Sequence, residues 1–275
     1  MTKPEALQFL NVYIKHMPDI SIVINCDTRD ERGEQGGLFN GAVNMDFLTD
    51  GVYNKIKFFE GFDKEVILFI DKHNEIPKDV LDYVYSICDT VVVRKHTHEH
   101  AFNDYNYLNA LSLARGKYIA HFDQDTAAFT SSIEPIQNII NLLENYSFVS
   151  YPSYWSPNAV HDPSFGGRMW ASTRFFMCKR ETLKFDVLKA CIEEPEWAYK
   201  TFGDVPRRCN WLEHFLTLAN NNSVYYPPLQ TERYTIFTWE KYERWTLKRL
   251  NELPYEEIFN WHNTHPIFYP NNVNS

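Results

Sequence analysis

No run of residues in this chain approaches the length of a membrane span, which takes about 20 consecutive apolar residues. The start, Met1 to Pro18, lacks the apolar centre of a signal peptide. The five cysteines (Cys26, Cys88, Cys178, Cys191 and Cys209) are scattered and odd in number, with no Cys-x-x-Cys spacing. That excludes an evident disulfide framework and suits reduced, mostly buried thiols, so a cytoplasmic setting is expected. Positive charge is also short: 27 Lys and Arg stand against 36 Asp and Glu, for a net charge of −9. A general nucleic-acid footprint is thereby excluded, and a phosphate-bearing substrate would need a local metal or local basic residues. Glycine is sparse, and its one cluster, Gly33, Gly36, Gly37 and Gly41, has neither the spacing nor the Lys-Ser/Thr of a P-loop.

What is there is an alternating chain. At 275 residues it is long enough for one large α/β domain, and 16% of it is aromatic. Ile20-Ser21-Ile22-Val23-Ile24-Asn25-Cys26 is an apolar run suited to a central parallel strand. It ends on polar Asp27-Thr28-Arg29-Asp30, at the edge where ligands collect in open α/β sheets. Similar strands are expected at 64–71, closing on Asp71, and at 90–94, closing on Arg94. Helices are expected at 4–16, 42–60, 77–88 and 102–115. The resulting β-α-β-α-β-α-β order predicts a mostly parallel, Rossmann-like sheet flanked by helices. Arg94 or Lys95 would face phosphates. The alternating histidines of His96-Thr97-His98-Glu99-His100 read as a solvated loop, because one extended segment does not easily wrap an ion.

The chain is organised around residues 116–126. Tyr118, Ile119, Ala120 and Phe122 make a short buried strand, Gly116 marks the turn before it, and Asp123 and Asp125 close it. In extended chain, residues i and i+2 share a face. Two carboxylates on one face repel unless a cation sits between them. Mg²⁺ or Mn²⁺ carrying phosphates suits that position, since it takes oxygen ligands and keeps open sites. The plain alternative is a solvated strand end with one Asp capping the next helix.

Leu108 to Gly116 followed by this Asp-x-Asp strand resembles the central stretch of GT-A fold glycosyltransferases, most of all the inverting family 2 type. The resemblance implies an Asp-x-Asp that holds the metal of a nucleotide-sugar, so Asp123 and Asp125 become expected metal ligands. It implies an Asp at the second strand end touching the nucleotide, and Asp71 matches by position, although Lys72-His73-Asn74 departs from the usual continuation. With Asp27 and Arg94, these residues form the expected donor site. Gly166 to Glu181, ending in Arg180-Glu181-Thr182-Leu183, is similar to the family's strand under the donor sugar. The family also places an acidic general base at a helix start in the second half. Glu213 is the first candidate and Asp204 the second, though the family's paired Glu-Asp is absent here. A histidine near the C-terminus as a third metal ligand would fall on His262 or His265.

The second half is also where all seven tryptophans lie, from Trp155 to Trp261. Most are expected in the core, with one or two lining an acceptor groove, since aromatic faces stack on sugars. A helix is expected from Ser131, with Ser131 capping it and Glu134 three residues on. Strands are expected at 148–151 and, at an edge, at 223–228. A helix is expected over 239–250. The expected architecture is one GT-A domain over 1–275, with a nucleotide half at about 18–126 and a fused acceptor half at about 127–275. The expected activity is metal-dependent transfer of a sugar from a nucleoside diphosphate donor, UDP-sugar before GDP-sugar, to a hydroxyl of a glycan or other acceptor, with inversion favoured over retention. A nucleotidyltransferase and a non-catalytic carbohydrate-binding protein on the same fold are the alternatives.

Overall fold

The structure is a computed structural model that describes residues 17–28, 45–72, 74–95, 104–124, 126–150, 171–202, 216–217, 219, 223–227, 233–238 and 245–264. Four apolar runs form the parallel strands β1 (Ile20–Asp27), β2 (Lys64–Lys72), β3 (Thr90–Lys95) and β4 (Tyr118–Asp123). Between them lie α1 (Val52–Phe58), entered through a π-helical segment Phe47–Gly51, then α2 (Lys78–Ile87) and α3 (Asp104–Ser112). Further on come β5 (Thr126–Thr130), α4 (Glu134–Leu142), β6 (Phe148–Ser150), β7 (Phe175–Lys179), α5 (Phe185–Glu193) and α6 (Pro195–Phe202). The last elements are β8 (Val224–Tyr225), β9 (Tyr234–Thr238), α7 (Trp245–Glu252) and α8 (Tyr255–Thr264). Seven strands make one sheet in the order β3-β2-β1-β4-β7-β6-β8, while β5 and β9 pair separately as an antiparallel ribbon. β7 runs antiparallel to both neighbours, so the sheet is mostly parallel with one reversed strand.

Strands covered on both sides favour apolar residues at most positions, which is why these runs are nearly continuous rather than alternating. On one face Ile22, Ile24, Leu68, Ile70, Ala120 and Phe122 pack under α1, α2 and α4. On the other, Val23, Ile67, Phe69, Ile119 and Phe176 pack under α3 and α5. Phe122 is fully buried and meets Phe175 at 4.9 Å and Phe59 at 6.2 Å between ring centres. Burying one such side chain contributes about 1.5–3 kcal/mol. A third cluster joins Phe47, Ala127 and Phe129 to Leu247, Leu250, Tyr255 and Ile258, fastening the C-terminal helices to β5.

Gly116 does more than mark a turn. A Cβ there would stand 2.6 Å from the Ser21 backbone nitrogen and 2.8 Å from the Ile20 carbonyl carbon. The close approach lets Gly116 N donate to Ser21 Oγ at 2.7 Å, while Ser21 Oγ donates to the buried Glu65 carboxylate at 2.5 Å. Arg115 completes the lock on Glu65 through its backbone N–H and guanidinium, at 2.6 and 2.7 Å.

Several boundaries differ from expectation. The 42–60 helix divides into the π-helical segment and α1, and residues 42–44 lie outside the described residues. Ser131 does not cap α4: Ile133 holds the N-cap position, and Ser131 Oγ donates instead to the Arg233 carbonyl at 3.0 Å. Glu134 likewise turns to Arg233, at 2.8 Å, rather than back to the helix start. The neighbouring β5–β9 ribbon outcompetes the local cap. Neither strand of that ribbon is among the expected elements. The helix expected over 239–250 is seen as α7, from Trp245, with 239–244 outside the described residues. The 4–16 helix, the glycine loop and the His96–His100 segment also lie outside them.

Candidate functional site

The register of the parallel strands builds one row at their C-terminal edge. Asp27 pairs with Asp71, and Asp71 with Arg94. Asp123, on the other side of β1, pairs with Asn25. Neighbouring strands lie about 4.8 Å apart, so residues separated by dozens in sequence become a contiguous edge. Asp71 is 8% exposed and Arg94 is exposed at the sheet margin. The wall is stiffened next to it: Asn74 N donates to Thr28 Oγ1 at 2.9 Å, and Asn74 Nδ2 donates to the Thr28 carbonyl at 2.7 Å.

The Asp123-Gln124-Asp125-Thr126 turn is held at each of its described residues. Tyr107 of α3 donates its hydroxyl to Asp123 Oδ1 at 2.8 Å, and Thr173 donates to Oδ2 at 3.1 Å. Asp123 N donates to the Arg174 carbonyl at 3.2 Å, and Thr126 Oγ1 donates to the same carbonyl at 2.8 Å. Below, Lys55 Nζ donates to the Gln124 carbonyl at 3.2 Å and to the Gly51 carbonyl at 3.1 Å. Beyond Asp125, Thr126 pairs with Thr238, which brings the end of β9 beside the turn.

Behind Asp123 lies a buried polar pair. His121 is fully buried, stacked on Phe176 at 5.0 Å and 13°, and accepts a hydrogen bond at Nε2 from Asn25 Nδ2 at 2.7 Å. Burial drives its pKa from 6.5 down to about 3, with the Thr173 backbone opposing in part. The ring is therefore neutral at physiological pH, as an acceptor at Nε2 requires.

Of the described residues in this turn, Asp123 is the candidate ligand for a divalent cation. Asp123 offers carboxylate oxygens, and the two hydroxyls it accepts do not exhaust a carboxylate's roughly four acceptor sites. Mg²⁺ or Mn²⁺ binds through one or two carboxylates plus water and phosphate. Among the described residues no group of three or more His, Cys, Asp or Glu side chains gathers. Asp125, Asp204, Glu213 and His265 lie outside those residues, and the side chains of Asp27 and His262, in β1 and α8, are not among those described.

Of the expected site residues, the fold brings Asp27, Asp71, Arg94 and Asp123 to one sheet edge. Lys55, Tyr107, Thr173 and the His121–Asn25 pair are not among the residues expected from the sequence. Only His121 carried a usable signal, as a lone titratable residue inside an apolar strand. Thr173 is reached through tertiary pairing, which local sequence does not encode.

No family model matches the chain, and no curated protein does. Solved structures do resemble it. A putative glucose-1-phosphate thymidylyltransferase from Bacillus anthracis, in complex with a sucrose, is 10% identical with a TM-score of 0.51, over 86% of this chain and 95% of that one. A Pyrobaculum calidifontis mannosyltransferase in complex with GDP-Man and Mn²⁺ is 12% identical with a TM-score of 0.43, over 78% of this chain and 56% of that one. S. aureus TarS 1-349 in complex with UDP is 9% identical with a TM-score of 0.46, over 79% and 60%. The chain thus spans little more than half the length of the mannosyltransferase and of TarS 1-349. Identities this low speak for architecture alone, and of these three the thymidylyltransferase passes one half in TM-score. The chain shares the α/β fold of that thymidylyltransferase, a mostly parallel Rossmann-like sheet with its polar edge at the ends of β1 to β4.

Proposed function

We propose that the chain is a nucleotide-sugar-dependent glycosyltransferase that moves a sugar from a nucleoside diphosphate to a hydroxyl acceptor in glycan or polysaccharide synthesis. The observation that carries this reading is Asp123, delivered by a buried strand to the polar sheet edge and gripped there by two hydroxyls. A plain solvated strand end has no need of such a grip.

In this reading Asp27 and Asp71 contact the donor nucleoside, and Arg94 faces its phosphates. Asp123 and Asp125, with His262 or His265, hold Mn²⁺ or Mg²⁺. An ion bound there would supply Lewis acidity toward the charge of the diphosphate. The acceptor hydroxyl oxygen bonds to the anomeric carbon as the carbon–oxygen bond to the diphosphate breaks. Glu213, or else Asp204, accepts the hydroxyl proton. Direct displacement of this kind inverts the anomeric centre. The chain acts as one domain over 1–275, in the cytoplasm. Among the described residues no helix is long and apolar enough to cross a membrane.

The test is a thermal-shift screen of UDP, GDP and their sugars with and without Mn²⁺, on the wild type, Asp123→Ala and Asp125→Ala. Ligand binding raises the midpoint by mass action. A Mn²⁺-dependent shift with one nucleotide, lost in both variants, supports the reading and names the base. The nucleotidyltransferase alternative shares the fold, and it predicts turnover of a nucleoside triphosphate with a sugar 1-phosphate, releasing pyrophosphate. No shift with any nucleotide sinks the donor site and leaves the carbohydrate-binding alternative.

A further inference from the structure

An Asp carboxylate at a strand end turns about its last torsion in a broad well. Asp123 is not left to do so. Its two oxygens accept from hydroxyls on separate elements, Tyr107 on α3 and Thr173 in the turn before β7. Both donors are themselves fixed. The Tyr107 ring packs 5.5 Å from His121, which is stacked on Phe176. Thr173 is buried, and the backbone around it is tied down. Arg174 N donates to Ser172 Oγ at 3.2 Å, Ser172 N to Ser150 Oγ at 2.8 Å, and Ala171 N to Thr217 Oγ1 at 2.8 Å. Hydrogen bonds to an ionised carboxylate are the stronger kind. Two of them from rigid supports set both the direction and the plane of the group.

We propose that Tyr107 and Thr173 are positioning residues that preset the Asp123 carboxylate for a divalent cation carrying a nucleoside diphosphate. The proposal rests on the donor-site reading above and adds residues that the Asp-x-Asp pattern does not contain. Partners of metal-ligating carboxylates typically alter metal affinity 10- to 100-fold when removed. A clamp that merely braced the fold would alter stability and leave metal affinity alone.

The two roles separate in a Mn²⁺ titration followed by the EPR signal of free Mn²⁺, in the presence of UDP or GDP, whichever shifts the wild type. Tyr107→Phe keeps the ring against His121 and deletes one donor. Thr173→Val keeps the shape and deletes the other, and Thr173→Ser restores a hydroxyl. Expected is a loss of Mn²⁺ affinity of about 10-fold or more in Tyr107→Phe and Thr173→Val. Nucleotide affinity in EDTA should stay unchanged, and Thr173→Ser should recover most of the loss. Wild-type Mn²⁺ affinity in both deletions, whatever their melting temperatures, overturns the clamp while the donor site stands. Absence of Mn²⁺ binding in the wild type overturns the donor-site reading and the clamp with it. Should Tyr107→Phe not fold, the Val and Ser pair at Thr173 decides alone.

Discussion

The Lys55 ammonium sits 3.2 Å beneath the Gln124 carbonyl oxygen, fully buried, in the middle of the acidic turn. A second carbonyl, Gly51, lies 3.1 Å from it, and the Phe122 ring centre lies 5.9 Å away. Gly51 ends the π-helical segment, and such local widening of a helix is common at functional sites. Burying an ammonium is costly unless carbonyls and aromatic faces replace its water. Here they do, and the turn gains an internal strut.

Replacing Lys55 with Met is expected to destabilise the fold by about 1–3 kcal/mol, because its hydrogen bonds to the Gln124 and Gly51 carbonyls are lost. Urea denaturation measures this. Because Met also removes a buried charge, the net loss is modest. Unchanged or raised stability would mean the turn stands without its strut.

Gly116→Ala is expected to be worse than an exposed Gly-to-Ala change. The new methyl meets backbone atoms of Ile20 and Ser21 at 2.8 and 2.6 Å, and a central strand cannot step aside. Overpacking costs about 1–3 kcal/mol or more. The lock on Glu65 should open with it, seen as faster amide exchange at Arg115 and Gly116. Wild-type exchange there would contradict the packing argument.

His121 sets a pH dependence in the metal-free protein. Unfolded, its pKa is near 6.5; folded, burial lowers it to about 3. Below pH 6.5 the unfolded chain binds a proton that the native ring refuses. Native stability is thus complete above pH 6.5 and falls as pH drops toward 3, by up to about 1.4 kcal/mol per pH unit. Between pH 6.5 and 5, where carboxylates titrate little, the slope should flatten in His121→Phe. An equal slope in that variant would show that other groups carry it.

The C-terminal helices hang on a buried amide pair. Asn54 Nδ2 donates to Asn251 Oδ1 at 2.9 Å, while Ala128 N donates to Asn54 Oδ1 at 2.8 Å and Asn251 Nδ2 to the Asp50 carbonyl at 3.0 Å. Asn251→Leu takes this partner from two groups, the Asn54 amide N–H and the Asp50 carbonyl, at about 1–3 kcal/mol each. Hydrogen exchange should then show α7 and α8 opening before the main sheet. Simultaneous opening of all elements would count against a separable C-terminal layer.

The four described thiols should be inert in the native protein. Burial pushes Cys88 up to about 12 and Cys191 up to about 11, raises Cys178 further still, and leaves Cys26 within the core. Only the thiolate reacts with iodoacetamide. Peptide mapping after labelling at pH 8 should find these four unmodified until denaturant is added. Prompt labelling of Cys178 would mean that the β7 face opens.

The first half of the sheet was legible from local residues. Ile20–Cys26, Val66–Ile70 and Tyr118–Phe122 are apolar at nearly every position, and only a strand buried on both faces uses such runs. Their polar ends therefore located Asp27, Asp71, Arg94 and Asp123 at one edge. The β5–β9 ribbon was not legible. Thr126–Thr130 is short, and its partner lies about a hundred residues on, so the pairing that makes it a strand is invisible locally. Ser131 failed as a cap for the same reason: its competitor, Arg233, comes from beside that distant strand.

Composition and alternation determined the class of fold and the polar edge at the ends of its parallel strands, because those depend on periods of two and 3.6 residues along one stretch of chain. Tertiary structure alone decided what holds the acidic turn. Tyr107, Thr173, Arg174 and Lys55 reach it from three separate segments, and a hydrogen bond is made wherever donor and acceptor meet within about 3 Å, however far apart they lie in sequence.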